Sequence, residues 1–260
     1  MRNLTKISAL FVIILLVGTN LIIAQKTKEF EETYQMNKSG KVSIDTYKGS
    51  ILVETWDKAE VEVYALMEAD DNWDCTDPDE QLRDVEIDVS NSSSYVRIKS
   101  DYDNRNSRGC NTLAFVHYKI KMPKTAELDI NDYKSETEIK NVKGYIDIVS
   151  YKGRIDISGF DGGLDLETYK GNAKVVFVNF SDDSSFDTYK GDIDIYLPDD
   201  TKFSLDVDLE KKADFECDWD IDARSSSLRK RDLDFKGDVN GGGSYIELSS
   251  YKGNIRILRK

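Results

Sequence analysis

Between Asn131 and Pro198 one tripeptide keeps returning: Tyr133-Lys134-Ser135, Tyr151-Lys152-Gly153, Tyr169-Lys170-Gly171 and Tyr189-Lys190-Gly191, at steps of 18, 18 and 20 residues. Weaker echoes, Val142-Lys143-Gly144 and Phe160-Asp161-Gly162, fall nine residues after the first two tyrosines. The same triplet stands near the two ends, as Tyr47-Lys48-Gly49 and Tyr251-Lys252-Gly253. A fixed period of this kind marks a stacked repeat, and it narrows the available folds more than composition does.

Between the tripeptides the residues alternate. Ile146, Ile148 and Ser150 share one face, Asp147 and Val149 the other; after the corner Ile155 and Ile157 alternate with Arg154 and Asp156. The next unit repeats this with Leu164 and Leu166, then Ala173 and Val175. Period two is the pattern of a half-buried strand bounded by turns. One such strand cannot bury its apolar face alone, but copies stacked about 4.8 Å apart build a continuous core. The sequence therefore predicts an all-β chain: a β-solenoid, single-stranded and β-helix-like, with about 18 residues per coil and an N-terminal β-rich cap. An antiparallel meander would accept the strands but does not require the constant step. Glycine at the third corner position is expected to supply positive φ.

Stacking places like residues over like. Tyr133, Tyr151, Tyr169, Tyr189 and Tyr251 are expected to form one ladder, and Lys134, Lys152, Lys170, Lys190 and Lys252 another. Outward acids (Asp147, Asp156, Asp165, Glu167, Asp192, Asp194) are expected to offset the lysine repulsion. The edge has two readings: a corner that keeps the repeats in register, or an aromatic, cationic stripe that grips a ligand or surface. These ten residues are the candidate binding face, because tyrosine offers a flat ring to a sugar or side chain and a hydroxyl at its rim.

The chain starts Met1-Arg2-Asn3-Leu4-Thr5-Lys6 and runs apolar from Ile7 to Ile23, then Ala24-Gln25. This reads as a signal peptide, residues 1–24, with an uncleaved anchor as the alternative. The expected location is the periplasm, the cell surface or the medium, with membrane contact only through that segment. Cleavage removes Arg2 and Lys6 and no acid, taking the formal charge from −13 to −15. Such acidity argues against nucleic acid or anionic lipid as partner. Residues 25–123 read as the N-terminal β-rich part and 124–260 as the repeat region. Its period lapses in an excursion at 211–236, where Asp218, Asp220 and Asp222 precede Arg224, Arg229, Lys230 and Arg231.

Three cysteines are present. Cys75 and Cys110 flank the predicted strands 84–90 and 94–100 and are the candidate disulfide, which leaves Cys217 free. The acid-rich stretch 68–80 reads as a solvated loop. Calcium is the alternative there, although Cys75 occupies the glycine position of an EF-hand loop and Gln81 its final glutamate. From Thr112 to Met122, Ala114, Val116, Tyr118 and Ile120 alternate with Phe115, His117 and Lys119 until Pro123 ends the strand. His117, the only histidine, reads as a surface residue.

No nucleophile elbow, zinc motif, phosphate loop or dinucleotide fingerprint occurs. Paired acids such as Asp192 and Asp194 follow from strand alternation, not from glycosidase geometry. No enzyme activity, cofactor or metal is expected; the alternative is a polysaccharide-binding or polysaccharide-cleaving β-helix.

The order of three segments resembles a known family. They are G-S-I-L-V-E-T-W-D-K-A-E-V-E-V (Gly49–Val63), V-H-Y-K-I-K-M-P-K-T-A-E-L-D-I (Val116–Ile130) and, after the G-x-I-x-I coils, G-G-G-S-Y-I-E-L-S-S-Y-K-G-N-I-R-I (Gly241–Ile257). Over roughly residues 30–258 the chain is similar to the bacterial exported "putative adhesin" β-strand-repeat family, a domain of unknown function. It departs from that family in carrying Tyr-Lys before the corner glycine, in its acidic 68–80 stretch and in its 211–236 segment. The resemblance implies a solenoid-like fold, with adhesion as a label inferred from architecture. The role expected of the chain itself is a surface or envelope one, with a surface glycan or envelope protein as partner of the tyrosine face. It brings no catalytic residues.

Overall fold

The computed structural model describes residues 26–70, 77–103, 112–210, 212–229 and 232–260. The expected signal segment and both cysteines of the candidate disulfide, Cys75 and Cys110, lie outside them. The chain is nearly all β. Its strands are β1 (Thr27–Gln35), β2 (Lys41–Trp56), β3 (Glu60–Glu68), β4 (Val85–Asn91), β5 (Tyr95–Tyr102), β6 (Phe115–Pro123) and β7 (Glu127–Lys140). The repeat region supplies β8 (Ile146–Lys152), β9 (Arg154–Phe160), β10 (Leu164–Thr168), β11 (Asn172–Phe177), β12 (Ser184–Thr188) and β13 (Ile193–Leu197). The remainder are β14 (Phe203–Leu209), β15 (Phe215–Cys217), β16 (Asp222–Arg229), β17 (Asp232–Val239), β18 (Ser244–Ser250) and β19 (Ile255–Arg259).

The strands form two hydrogen-bonded ladders joined through the tyrosine corners. In the first, β5, β2, β7, β8, β10, β12, β18 and β14 run parallel. In the second, β6, β2, β7, β9, β11, β13, β19 and β15 do so. The long strands β2 and β7 pass straight through the corner and belong to both. Antiparallel strands extend the ends: β4 on β5, β3 and then β1 on β6, β17 and then β16 on β14.

Alternation decides what the ladders bury. Ile44, Ile130, Ile148, Leu166, Phe186, Leu248 and Val207 lie in register along the first ladder, and Val53, Ile139, Ile157, Val175, Ile195 and Ile257 along the second. All of these side chains are buried. The second corner is stacked too. Val142, Phe160 and Phe177 are buried there, with Phe160 5.1 Å from Phe177, and the outward Lys143 pairs with Asp161 at 2.9 Å.

Four expectations are corrected. Residues 41–56 are not part of a cap: β2 is hydrogen-bonded on both sides, to β5 and β6 and to β7, because its alternation matches theirs strand for strand. Likewise, 244–259 ends the sequence but not the stack, since β18 and β19 lie between β12–β13 and β14–β15. The 211–236 excursion is largely strand. β15 continues the second ladder, and β16 and β17 form an antiparallel hairpin against β14, with Leu233, Phe235 and Val239 turned to the core. Within the presumed acidic loop, Pro78–Arg83 forms the helix α1. Asp77 caps it by accepting the Asp79 N–H at 3.0 Å, and proline sits in its first turn.

Candidate functional site

The corner is built from the residue before each tyrosine. Thr46, Asp132, Ser150, Thr168, Thr188 and Ser250 fall on one register line and are all buried. At three corners the hydroxyl accepts the N–H of the glycine three residues on: Thr168 from Gly171 at 2.9 Å, Thr188 from Gly191 at 2.7 Å, Ser250 from Gly253 at 2.9 Å. The same hydroxyls donate to those glycine carbonyls at 3.1–3.3 Å. At the β7 corner Asp132 accepts the Ser135 N–H at 2.7 Å and its hydroxyl at 2.6 Å. At these four corners a short polar side chain turned inward closes the turn. The Thr46 hydroxyl instead lies 3.0 Å from that of Ser100, and Ser150 donates to the Lys152 carbonyl at 3.1 Å. In every copy tyrosine and lysine follow on the outside. The motif is therefore Ser/Thr/Asp-Tyr-Lys-Gly/Ser, and the first position, visible in every copy, was missing from the tripeptide reading.

The predicted glycine role is only partly right. Gly49 and Gly153 adopt positive φ (139° and 117°), but Gly171, Gly191 and Gly253 do not. At Gly191 the reason is space: a Cβ would lie 1.7 Å from the Gly171 carbonyl oxygen of the neighbouring corner.

All five predicted tyrosines come together, and Tyr47 joins them. The rings stack in the order Tyr47, Tyr133, Tyr151, Tyr169, Tyr189, Tyr251, with centroids 4.6–4.9 Å apart and planes within 8° of parallel. Tyr102 closes the Tyr47 end edge-on at 6.3 Å. This geometry corrects the idea of open flat faces. Each inner ring spends both faces on its neighbours, so the surface receives ring edges and phenol hydroxyls. Desolvation within the stack, then Tyr169, Tyr251 and Glu210, raise the Tyr189 phenol above its ordinary value.

The lysines lean on this stack. The Lys152 ammonium lies 5.4 and 5.1 Å from the Tyr133 and Tyr151 ring centres, Lys170 lies 5.7 and 5.1 Å from Tyr151 and Tyr169, and Lys190 lies 5.3 Å from Tyr189. Lys48 turns away, pairing with Asp70 at 2.8 Å over the Phe115 ring. Ammoniums held one strand apart repel by roughly 0.9 kcal/mol in bulk water. Of the acids expected to relieve this, four are engaged elsewhere, and Glu167, although it lies beside the ridge, pairs with none of its lysines. Asp156 pairs with Arg154, Asp194 takes both arms of Arg256 at 2.6 and 2.8 Å, and Asp192 accepts the Asn254 N–H. Asp165 accepts from Tyr145 and Ser185. Among the described residues no carboxylate pairs with Lys134, Lys152, Lys170, Lys190 or Lys252.

Beside the stack runs a groove of about 410 Å³, walled by Tyr47, Tyr133, Tyr151 and Tyr169 and floored by Asp45, Asn131, Val149 and Glu167. Beyond it the first ladder carries an acidic register line, Asp129–Asp147–Asp165. Burial, then Asp129 and Asp165, hold the Asp147 carboxyl above its ordinary value. The second ladder's outer face is mixed and cross-paired instead, as the Arg256–Asp194 contact shows. His117 sits there, its Nδ1 2.9 Å from the Ser50 hydroxyl. Cys217 is a free thiol.

No protein-family model matches the chain, and no curated protein matches its sequence. Similar solved structures include "a putative cell adhesion protein" of Clostridium sporogenes: 12% identity, TM-score 0.44, 90% of this chain against 100% of that one. Another is "a putative adhesin" of Bacteroides fragilis, with 14% identity, TM-score 0.26, and 89% of this chain against 97% of that one. A third is a "putative lipid binding protein" of Parabacteroides distasonis, with 11% identity, TM-score 0.27, and 89% against 94%. At these TM-scores the likeness decides nothing about function.

Proposed function

We propose that the chain is an exported, non-enzymatic β-solenoid of the cell surface or envelope, which holds a surface glycan or envelope partner along its tyrosine–lysine edge. In this reading the two ladders are the two walls of the coil, and the tyrosine corners join them. One observation carries it: six tyrosines stack without a break, with the lysines that follow five of them along the same edge and a groove alongside, on a chain otherwise patterned as alternating strands. A surface whose chemistry repeats at the strand spacing suits a polymer whose chemistry also repeats.

Binding rather than turnover is favoured by where the most buried of the raised carboxyls lies. Asp132 is pushed up by burial, but it is turned into the corner and spent on Ser135. A general acid needs an opening to substrate instead. The test replaces Tyr133, Tyr151 and Tyr169 with serine and follows melting together with binding to a glycan array and to whole envelopes. Lost binding in protein that is still folded at the assay temperature is expected. Destabilised protein that binds as before would reduce the ridge to a structural corner. Release of reducing ends from any arrayed glycan would overturn the non-enzymatic reading.

A further inference from the structure

Resting on the reading of the ridge as a binding surface, we propose that its ligand is a single linear polyanion of the acidic-polysaccharide class. Its carboxylated or sulfated sugars would lie along the column, so that successive anionic groups meet successive lysines. Two observations lead there. In a chain of net charge −13, about half of the lysines and arginines whose side chains are described form ion pairs with acids, as Lys41, Lys121, Lys143 and Arg256 do. The lysines at 134, 152, 170, 190 and 252 share one column and have no such partner, and four of the five are exposed. Acids flank that column, but among the described residues none closes an ion pair with it, which leaves these ammoniums available to counter-charge from outside.

The ridge is also narrow. Asp45, Glu167 and Asp187 lie on one register line beside it, and Glu136 and Asp192 stand on the opposite flank just past the corner. A broad anionic surface, such as a bilayer, meets those acids on both sides at once. A single chain seated on the crest meets the lysines and, beneath them, the phenol hydroxyls. The global acidity that disfavours anionic partners therefore works as a selector of shape. Stacked ring faces leave no platform for a neutral sugar plane, so ammonium and hydroxyl contacts carry the recognition.

The test titrates the full chain with polygalacturonate, with amylose of matched length, and with phosphatidylserine vesicles. Polygalacturonate is expected to bind, and amylose and vesicles are not. If the polymer sheds counterions as a single nucleic-acid strand does, five lysine contacts cut its affinity by about 100-fold between about 50 and 200 mM salt. Combined Lys134→Gln, Lys170→Gln and Lys190→Gln should lower affinity by about 10-fold or more and reduce the salt slope by about 2. The same three changed to arginine should retain both, and melting curves confirm that both variants are folded. Amylose binding that survives the glutamine changes would overturn the polyanion proposal and keep the ridge as a binding surface. Vesicle binding equal to that of polygalacturonate would also overturn it. No ridge-dependent binding of either polymer, together with unchanged envelope binding by the tyrosine variant, would remove both readings.

Discussion

Gly191→Ala and Gly241→Ala separate two reasons for needing glycine. At 191 the backbone φ is ordinary, but an added Cβ lies 1.7 Å from the Gly171 carbonyl oxygen. Contacts shorter than 3.0 Å essentially never occur for real Cβ atoms, so the two neighbouring corners must part by about 1.3 Å. That displacement is enough to break the bond from the Tyr189 N–H to the Thr168 carbonyl (3.0 Å) and to strain the Gly191 N–H bond to Thr188 (2.7 Å). Two buried polar groups left short of partners cost about 1–3 kcal/mol each, so about 2–6 kcal/mol in all. For a domain of this size that lowers Tm by about 5–20 °C. At 241 the φ is +89° and nothing lies within 4 Å, so alanine meets only left-handed strain, about 1–2 kcal/mol. Melting of both variants gives the comparison, and near-UV circular dichroism of the tyrosines reports whether Tyr169 and Tyr189, now 4.6 Å apart, have separated. If Gly191→Ala melts no lower than Gly241→Ala and keeps the tyrosine signal, the close-stacking account of the corner is wrong.

Position in the ring stack should also be measurable. Tyr169→Ser loses two ring neighbours and Tyr251→Ser one, so at about 0.5–1.5 kcal/mol per pair the first should cost close to twice the second in denaturant unfolding. Ile157→Ala, buried between Ile139 and Val175, is expected to cost about 2–5 kcal/mol, seen as a lower urea midpoint at unchanged slope. Burial raises the Asp132 pKa despite hydrogen bonds from Ser135, Lys134 and Ser150. A carboxyl raised on folding contributes most stability below its unfolded value and loses it as pH rises through the folded one. Asp132→Ser, which copies the Ser150 and Ser250 corners, should therefore gain Tm relative to the parent at pH 7 and lose that advantage toward pH 3. A parent–variant difference that does not change with pH would contradict this.

The sequence made the strand faces legible because alternation is local. Ile146 with Ile148 and Ile155 with Ile157 point inward as read, and the tyrosine period gave the stacking of 133, 151, 169 and 189. Membership of Tyr47 was hidden, since nothing near residues 41–56 tells which later strands they will lie between. Parallel pairing leaves no turn to mark it. The hairpin β16–β17 was legible in principle from Leu233, Phe235 and Val239, but the charges interleaved with them obscured the period. Helix α1 had its signal in Asp77-Pro78, inside a run of acids that reads as loop. At the candidate site the residue types were foreseen and their presentation was not. Whether a ring shows its face or its edge depends on the distance to the next ring, which spacing in sequence does not record.

The insertion of β2 between β5–β6 and β7, and of β18–β19 between β12–β13 and β14–β15, sets this molecule apart from a column that lengthens by adding units at its tip. Early-made residues must wait for partners synthesised later, and the closing segment must enter a gap already bounded on two sides. Deleting residues 244–259 would not trim an end. It would remove a middle layer and strand β14 to β17 from the rest. The number of layers is thereby locked, and a repetitive sequence yields an object of fixed length.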